Sequence, residues 1–173
     1  ALPTGSLAPY TPDSQTLHLW HFDEADPGPA TPAPGVVGSF NLTPVSGATL
    51  GAVAYPGFGT AGDTSGGSDD GLQGDTIPVS DVTGPDGAFT FEALVRTAEI
   101  DSIQQIITME NGSGNVSDRP FQFRIDDGNL RFINVANGTQ SVLTTIPTTG
   151  DHAFVPDEWF HVAVAYNGEA NTP

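Results

Sequence analysis

Hydrophobic and polar residues alternate along several short stretches of the chain, and a period of two predicts β-strands. In Phe89–Arg96, Phe89 and Phe91 alternate with Thr90 and Glu92. Near the end of the sequence, Glu158–Gly168 is rich in β-branched and aromatic residues and closes in an Asn-Gly turn signal. Neither face of this last stretch is plainly polar, so we expect an inner strand of a two-sheet structure. No window of about 11 residues has the 3.6-residue period of an amphipathic helix.

Turn residues separate the alternating stretches. The clearest hairpin joins Phe121–Ile125 to Leu130–Val135 through an Asp-Gly pair, which tolerates the positive φ of a tight turn. Further strands are predicted at Thr16–Phe22, Val36–Leu42, Ala48–Tyr55, Ile103–Met109 and Gln140–Ile146. Successive short strands joined by Gly, Asn and Asp turns predict an all-β fold, an antiparallel two-sheet jelly-roll sandwich.

The domain organisation follows from length and from two irregular stretches. A chain of 173 residues predicts one domain. We expect it to span residues 16–173, after an extended, Pro-rich lead-in over residues 1–15. Pro56–Gly74 is predicted as a long loop, and such loops are usually functional, metal-ordered or disordered.

The composition excludes several classes of function. The absence of Cys rules out disulfides, thiolate metal sites and a Cys nucleophile. The 21 acidic residues face only four Arg and no Lys, a net charge of −17, which argues against nucleic acid and against an anionic membrane surface. No apolar run is long enough for a helix that inserts into a membrane. The acidity suits solubility in a salty medium, or divalent cations.

Acidic residues concentrate in two Gly-containing regions where backbone carbonyls could converge with carboxylates, the donor set that calcium prefers. The sequence therefore suggests calcium as a possible cofactor, and solvated loop acids are the alternative. The candidate metal ligands are Asp23, Glu24 and Asp26 in one turn, and Asp63, Asp69, Asp70 and Asp75 in the other region.

Sugar recognition needs an exposed aromatic face beside planar polar groups. Tyr55 and Phe58 are the predicted ligand-binding pair, because both Trp residues fall in strand patterns that favour burial. His161 is predicted as a packed or hydrogen-bonded core residue. Glu92 is the only acidic residue within a strongly patterned strand, and it is expected to face solvent or to pair with an Arg. A glycosidase needs paired carboxylates, so no catalytic residues are predicted.

Three motifs in order resemble bacterial laminin-G-like, concanavalin A-like jelly-roll domains. They are Trp20–Glu24, Phe89–Arg96 and Glu158–Tyr166, and the resemblance covers Thr16–Gly168. Such domains often hold calcium at a loop edge, so the resemblance implies a secreted, extracellular bacterial module with a calcium-ordered loop. Leu94 stands where the family commonly has an aromatic residue. The family's last strands have no counterpart here, so we expect the native polypeptide to continue past Pro173.

These observations predict a non-catalytic binding module that recognises a polysaccharide or another cell-surface glycan or protein, with loops ordered by calcium. A structural or protein-adhesion module without a small ligand is the first alternative. A glycosidase-like jelly-roll enzyme is the second.

Overall fold

A computed structural model describes residues 7–23, 32–74, 88–109, 121–136, 139–146, 150 and 153–167. These residues form strands and irregular connections without an α-helix, so none of them lies in a helix that could cross a membrane. The strands are β1 (Thr43–Val45), β2 (Thr49–Val53), β3 (Thr60–Asp63), β4 (Gly71–Gln73), β5 (Ala88–Arg96), β6 (Gln104–Met109), β7 (Phe121–Asp126), β8 (Asn129–Ala136), β9 (Thr139–Ile146) and β10 (Trp159–Asn167).

The chain divides into two compact units, one of residues 3–77 and one of residues 1–2 and 78–173. In the first unit, β1 pairs with β4 and β2 pairs with β3, both antiparallel. Among the described residues of this unit, four apolar residues are buried, and two of them are alanines: Ala33, Ala48, Leu50 and Tyr55. The predicted domain boundary at residue 16 stays a prediction.

Two predicted strands of the first unit are wrong. Thr16–Phe22 makes one isolated bridge, Leu19 to Val37, and Val36–Leu42 contributes only that bridge and one between Leu42 and Ala33. Phe22 takes a left-handed backbone conformation with φ of 59°, which interrupts an extended strand at its end. The alternation of apolar and polar residues in these stretches therefore does not lead to the repeated strand pairing of a sheet.

The prediction of a long loop over Pro56–Gly74 is also wrong, because β3 and β4 lie within it. Gly62 in β3 shows the reason. A Cβ at this position would lie 2.7 Å from Leu72 Cδ1, so the glycine is needed for close packing of the Leu72 side chain. Glycine here serves packing in a strand, whereas sequence rules treat it as a sign of a loop.

The second unit is a sandwich of two antiparallel sheets. One sheet has the order β6-β7-β8-β9, and the other pairs β5 with β10 in continuous register from Trp159 opposite Arg96 to Asn167 opposite Ala88. The predictions of strands at Phe89–Arg96, Ile103–Met109, Gln140–Ile146 and Glu158–Gly168 are confirmed to within a few residues.

Aromatic rings fill the space between these two sheets. Phe91 of β5 lies 4.6 Å from Phe121 of β7, measured between ring centroids, and Phe89 lies 5.9 Å from Phe132 of β8. Tyr166 of β10 also contacts Phe132, at 6.2 Å. Burial of these rings on the facing sides of both sheets provides much of the hydrophobic stabilisation of the unit.

The predicted hairpin is confirmed. β7 and β8 meet at Asp127 and Gly128, with φ of 49° and 69°, the pair of positive values that a tight type I′ hairpin turn requires. The backbone N–H of Gly128 also donates to the carbonyl of Ile100 at 2.6 Å. Together, the strand order, the register and the absence of helix in the described residues fit the predicted all-β antiparallel jelly-roll sandwich.

We expect Gly128→Ala to lower the free energy of unfolding by about 1 kcal/mol, because a side chain at positive φ is strained. Urea denaturation of the variant checks this value. Gly71→Ala is the control, and its effect should be smaller. Gly71 does not have a positive φ, and a Cβ there would lie 3.9 Å from Val45 Cγ2, an ordinary contact distance. An equal loss in both variants would contradict the account of the turn.

Candidate functional site

One face of the four-stranded sheet carries a row of polar residues that crosses all four strands. Gln105 of β6 lies opposite Arg124 of β7, Arg124 opposite Arg131 of β8, and Arg131 opposite Thr145 of β9. Residues directly opposite in an antiparallel pair share one face. We call these four residues the polar row.

This face is the outer face of the sandwich in the second unit. Side chains alternate along β7, so Phe121, Phe123 and Ile125 point to the facing sheet, while Gln122, Arg124 and Asp126 point away from it. The polar row is thus presented by a rigid, hydrogen-bonded scaffold whose opposite side is the aromatic core.

Asp126 links the two arginines of the polar row. Its Oδ2 accepts hydrogen bonds from Arg124 Nη2 at 2.5 Å and from Arg131 Nη1 at 2.9 Å. Arg124 Nη1 also donates to Gln122 Oε1 at 2.7 Å. Two guanidinium groups directly opposite each other would repel, and the shared carboxylate holds them together. The three charged side chains carry a net charge of +1.

Exposure differs along and across this face. Ile133 and Gln122 are 1% and 5% exposed, the Arg124 and Asp126 side chains are each 14% exposed, and the Arg131 side chain is 30% exposed. At the flanks of the row, Gln105 and Thr145 are exposed. A partner on this face would therefore contact Gln105, Thr145 and the accessible part of Arg131, while Asp126, which also binds the better buried Arg124, would hold the orientation of Arg131.

The polar row was not predicted, although the sequence contains the signal for it. Arg124 and Arg131 are equally distant from the Asp127-Gly128 turn, so the predicted hairpin already places them opposite each other. The shared acceptor Asp126 is the last residue of the same strand. What the sequence could not show is that Gln105 and Thr145 complete the row, because these pairings depend on strands separated by longer connections.

The predicted metal ligands are not brought together among the residues that the structure describes. No three His, Asp or Glu side chains in these ranges could hold a metal ion. The carboxylate of Asp70 accepts from the N–H of Gly47 at 2.7 Å, and that of Asp63 accepts from the N–H of Ser65 at 2.9 Å, which is the role of turn-stabilising acids. Asp23 and Asp69 are exposed.

The remaining candidate ligands Glu24, Asp26 and Asp75 lie outside the described residues. The described acids alone do not fit a calcium ion, which takes six to eight oxygen ligands. The calcium hypothesis thus rests on residues about which the structure says nothing, and it stays a prediction.

The predicted ligand-binding pair Tyr55 and Phe58 lies in contact, with ring centroids 5.9 Å apart in an edge-to-face arrangement. Tyr55 is buried, however, and Phe58 is half-buried. The expectation of an exposed pair is therefore wrong for Tyr55, whose ring packs in the small core of the first unit. That the pair binds a ligand stays a prediction.

His161 and Glu92 correct two further expectations. His161 lies on the exposed face of β10, where its Nε2 is 3.1 Å from Glu92 Oε2 of β5. The prediction of a hydrogen bond is confirmed, and that of a core position is wrong. Glu92 faces solvent as expected but pairs with a histidine instead of an arginine. The face of β10 that carries His161 is exposed at Ala163 and Ala165 as well.

We expect the His161–Glu92 pair to contribute less than about 1 kcal/mol to stability, because both side chains are half exposed. A double-mutant cycle with His161→Ala and Glu92→Ala, followed by urea denaturation at pH 7, measures the coupling directly. A coupling energy well above this value would show that the pair is part of a more rigid arrangement than the structure indicates.

Comparison with known proteins adds one finding. The family model of laminin G type in the concanavalin A-like lectin/glucanase superfamily matches residues 67–172, more than half of the chain. No curated protein and no solved structure matches the chain significantly. The match includes β5 to β10, and so the whole polar row and the aromatic core beneath it.

Proposed function

Because the chain belongs to the concanavalin A-like lectin/glucanase superfamily, we propose that it binds a carbohydrate through the polar row. Membership of the superfamily supports a lectin-like or binding module in general. The observation that carries the finer proposal is the row itself: planar polar side chains, fixed by mutual hydrogen bonds, on a face of the matched region that is exposed at Gln105 and Thr145 and partly exposed at Arg131.

The chemistry of the row suits sugar hydroxyls. A hydroxyl both donates and accepts, and neighbouring hydroxyls match the parallel donors of a guanidinium or the paired donor and acceptor of an amide. Arg131 supplies donors from its partly exposed guanidinium, and the exposed Gln105 and Thr145 supply donors and acceptors at the flanks. Since Asp126 and Gln122 already fix Arg124, little side-chain entropy is lost on binding.

Two alternatives predict other results. A structural or protein-adhesion module would bind a macromolecular partner and no isolated glycan. A glycosidase-like enzyme would need two facing carboxylates, whereas the neighbours of Glu92 on its face of the β5–β10 sheet are Thr90, Leu94, Ala163 and His161. This environment favours a non-catalytic role for Glu92.

Calcium, an extracellular location and a bacterial origin remain part of the proposal. The acidic regions that contain Asp26 and Asp75 motivate the metal, and the net charge of −17 fits either cation binding or solubility.

We expect the chain to bind at least one glycan in an array, and Arg131→Gln to weaken that binding about tenfold or more through loss of charge-assisted hydrogen bonds. Arg96→Gln is the matched control: it removes the same charge from an exposed ion pair with Asp157, outside the polar row. Equal binding by both variants would place the site elsewhere.

The array is run with calcium and with EDTA. Loss of binding in EDTA would support a calcium-dependent module and direct mutagenesis to Asp23, Asp69 and the other acidic residues. Binding that persists in EDTA would keep the carbohydrate proposal and reject a role for calcium in it. No glycan binding under either condition would favour the protein-adhesion alternative.

A further inference from the structure

The polar row contains more cationic donors than acceptors. Arg124 and Arg131 together offer ten N–H donors, and among the described residues the acceptors for their side chains are Asp126 Oδ2 and Gln122 Oε1. Within the described part of the chain, Arg124 Nε is buried without an acceptor. A buried N–H without a partner is uncommon in folded proteins and costs about 1–3 kcal/mol. The site is therefore short of negative charge and of oxygen acceptors.

This shortage stands out against the rest of the chain. The sequence has 21 acidic residues and only four basic ones other than His, and two of those four lie opposite each other in this row. An acidic protein has many carboxylates with which to neutralise a pair of arginines, yet in the described part of the chain Asp126 is the one that pairs with them. Of the two arginines, Arg131 is the more accessible, with a side chain that is 30% exposed.

We propose that the polar row recognises a carboxylate-bearing sugar residue, a uronic acid, with the carboxylate bound at the exposed guanidinium of Arg131. This inference rests on the proposed carbohydrate function and names its ligand class. A carboxylate offers two coplanar oxygens that match the parallel N–H donors of a guanidinium, and it neutralises the remaining positive charge. The sugar hydroxyls then lie along Gln105 and Thr145.

The net charge of the chain limits the kinds of acidic glycan that could bind. A net charge of −17 repels a densely charged polyanion, and a single carboxylate at Arg131 offsets only a small part of that repulsion. The charge balance therefore favours a glycan in which carboxylates are sparse over one with a sulfate or carboxylate on every residue. Because the interaction involves one partly exposed charge pair, its affinity should fall only modestly with added salt.

The test uses an oligosaccharide with a single terminal galacturonic acid and, as its matched ligand, the methyl ester of the same compound. Binding of the 173-residue chain is measured by titration calorimetry. We expect the free acid to bind about tenfold or more tightly than the ester, since the ester lacks the charge-assisted hydrogen bonds. In Arg131→Gln this preference should disappear, and in Arg96→Gln it should persist. Circular dichroism establishes that each variant is folded.

The outcomes separate this inference from the proposed function. Equal binding of acid and ester would overturn the carboxylate assignment and leave carbohydrate binding in place. Binding of neither, together with a neutral glycan bound in the array, would also overturn the inference alone. A short Glu-containing peptide serves as a second source of carboxylate, and tighter binding of the peptide than of the sugar acid would assign the site to a protein partner.

Discussion

Replacing Phe132 with Ala is expected to lower the free energy of unfolding by about 3–5 kcal/mol, the cost of deleting a fully buried aromatic ring. Phe132 is 1% exposed and contacts the rings of Phe89 and Tyr166 on the facing sheet. Its removal leaves a cavity between the two sheets that the surrounding structure closes only in part.

Urea denaturation monitored by Trp fluorescence measures this loss. Ile103→Ala is the control in the same unit, because Ile103 is 53% exposed, and its effect should stay within about 0.5 kcal/mol. Similar losses in the two variants would mean that the aromatic rings do not form the principal core of the sandwich.

Replacing Asp126 with Ala should cost about 2 kcal/mol, the second-largest effect that we expect. The substitution leaves Arg124 and Arg131 opposite each other without their shared acceptor, and a partly buried charge without a partner is costly. The value lies below that of a fully buried ion pair because the Arg131 side chain is 30% exposed.

Asp157→Asn provides the comparison for this second prediction. The Asp157 carboxylate pairs with Arg96 at 3.9 Å, and both side chains are largely exposed, so the loss should be between about 0 and 1 kcal/mol. Asparagine is used because Asp157 has a φ of 64°, which Asn tolerates better than Ala. If denaturation showed no greater loss for Asp126→Ala than for Asp157→Asn, the Asp126 cluster would not be the rigid site that the distances suggest.

The strands with strong alternation and clear turns could be predicted from the sequence. Phe89–Arg96 alternates without interruption, and Asp127-Gly128 supplies the positive φ values that fix the register of β7 against β8. These local signals also determine which residues face the core, so the inward positions of Phe89 and Phe91 follow from the pattern alone.

The predictions failed where packing between distant residues decides the structure. Gly62 lies in β3, which pairs with β2, and the Leu72 side chain, ten positions later, packs in the space that a side chain at Gly62 would occupy. His161 looked like a core residue because its neighbours in sequence are apolar, yet it lies on the outer face of β10 beside Glu92, which is 69 residues away. Periodicity identifies the two faces of a strand but does not say which face another layer covers.

The candidate site also has one part that could be predicted from the sequence and one part that could not. The pair of arginines at the hairpin could be deduced from the turn, whereas the full row across β6 to β9 required the register of three strand pairs. The two acidic regions were predicted to bind calcium because carboxylates among glycines are the donor set that calcium prefers. Their described members Asp63 and Asp70 instead bind backbone N–H groups of nearby turns.

The most direct test of the central claim, that the polar row is the ligand-binding face, uses the small number of arginines. The chain has four, so a ¹⁵N-labelled sample gives four side-chain Nε–H signals in an NMR spectrum, which single substitutions assign. On addition of a bound glycan, we predict that the signals of Arg124 and Arg131 shift and that the signal of Arg96, which lies outside the polar row, stays in place. Saturating binding with no shift of Arg124 or Arg131 would contradict the account.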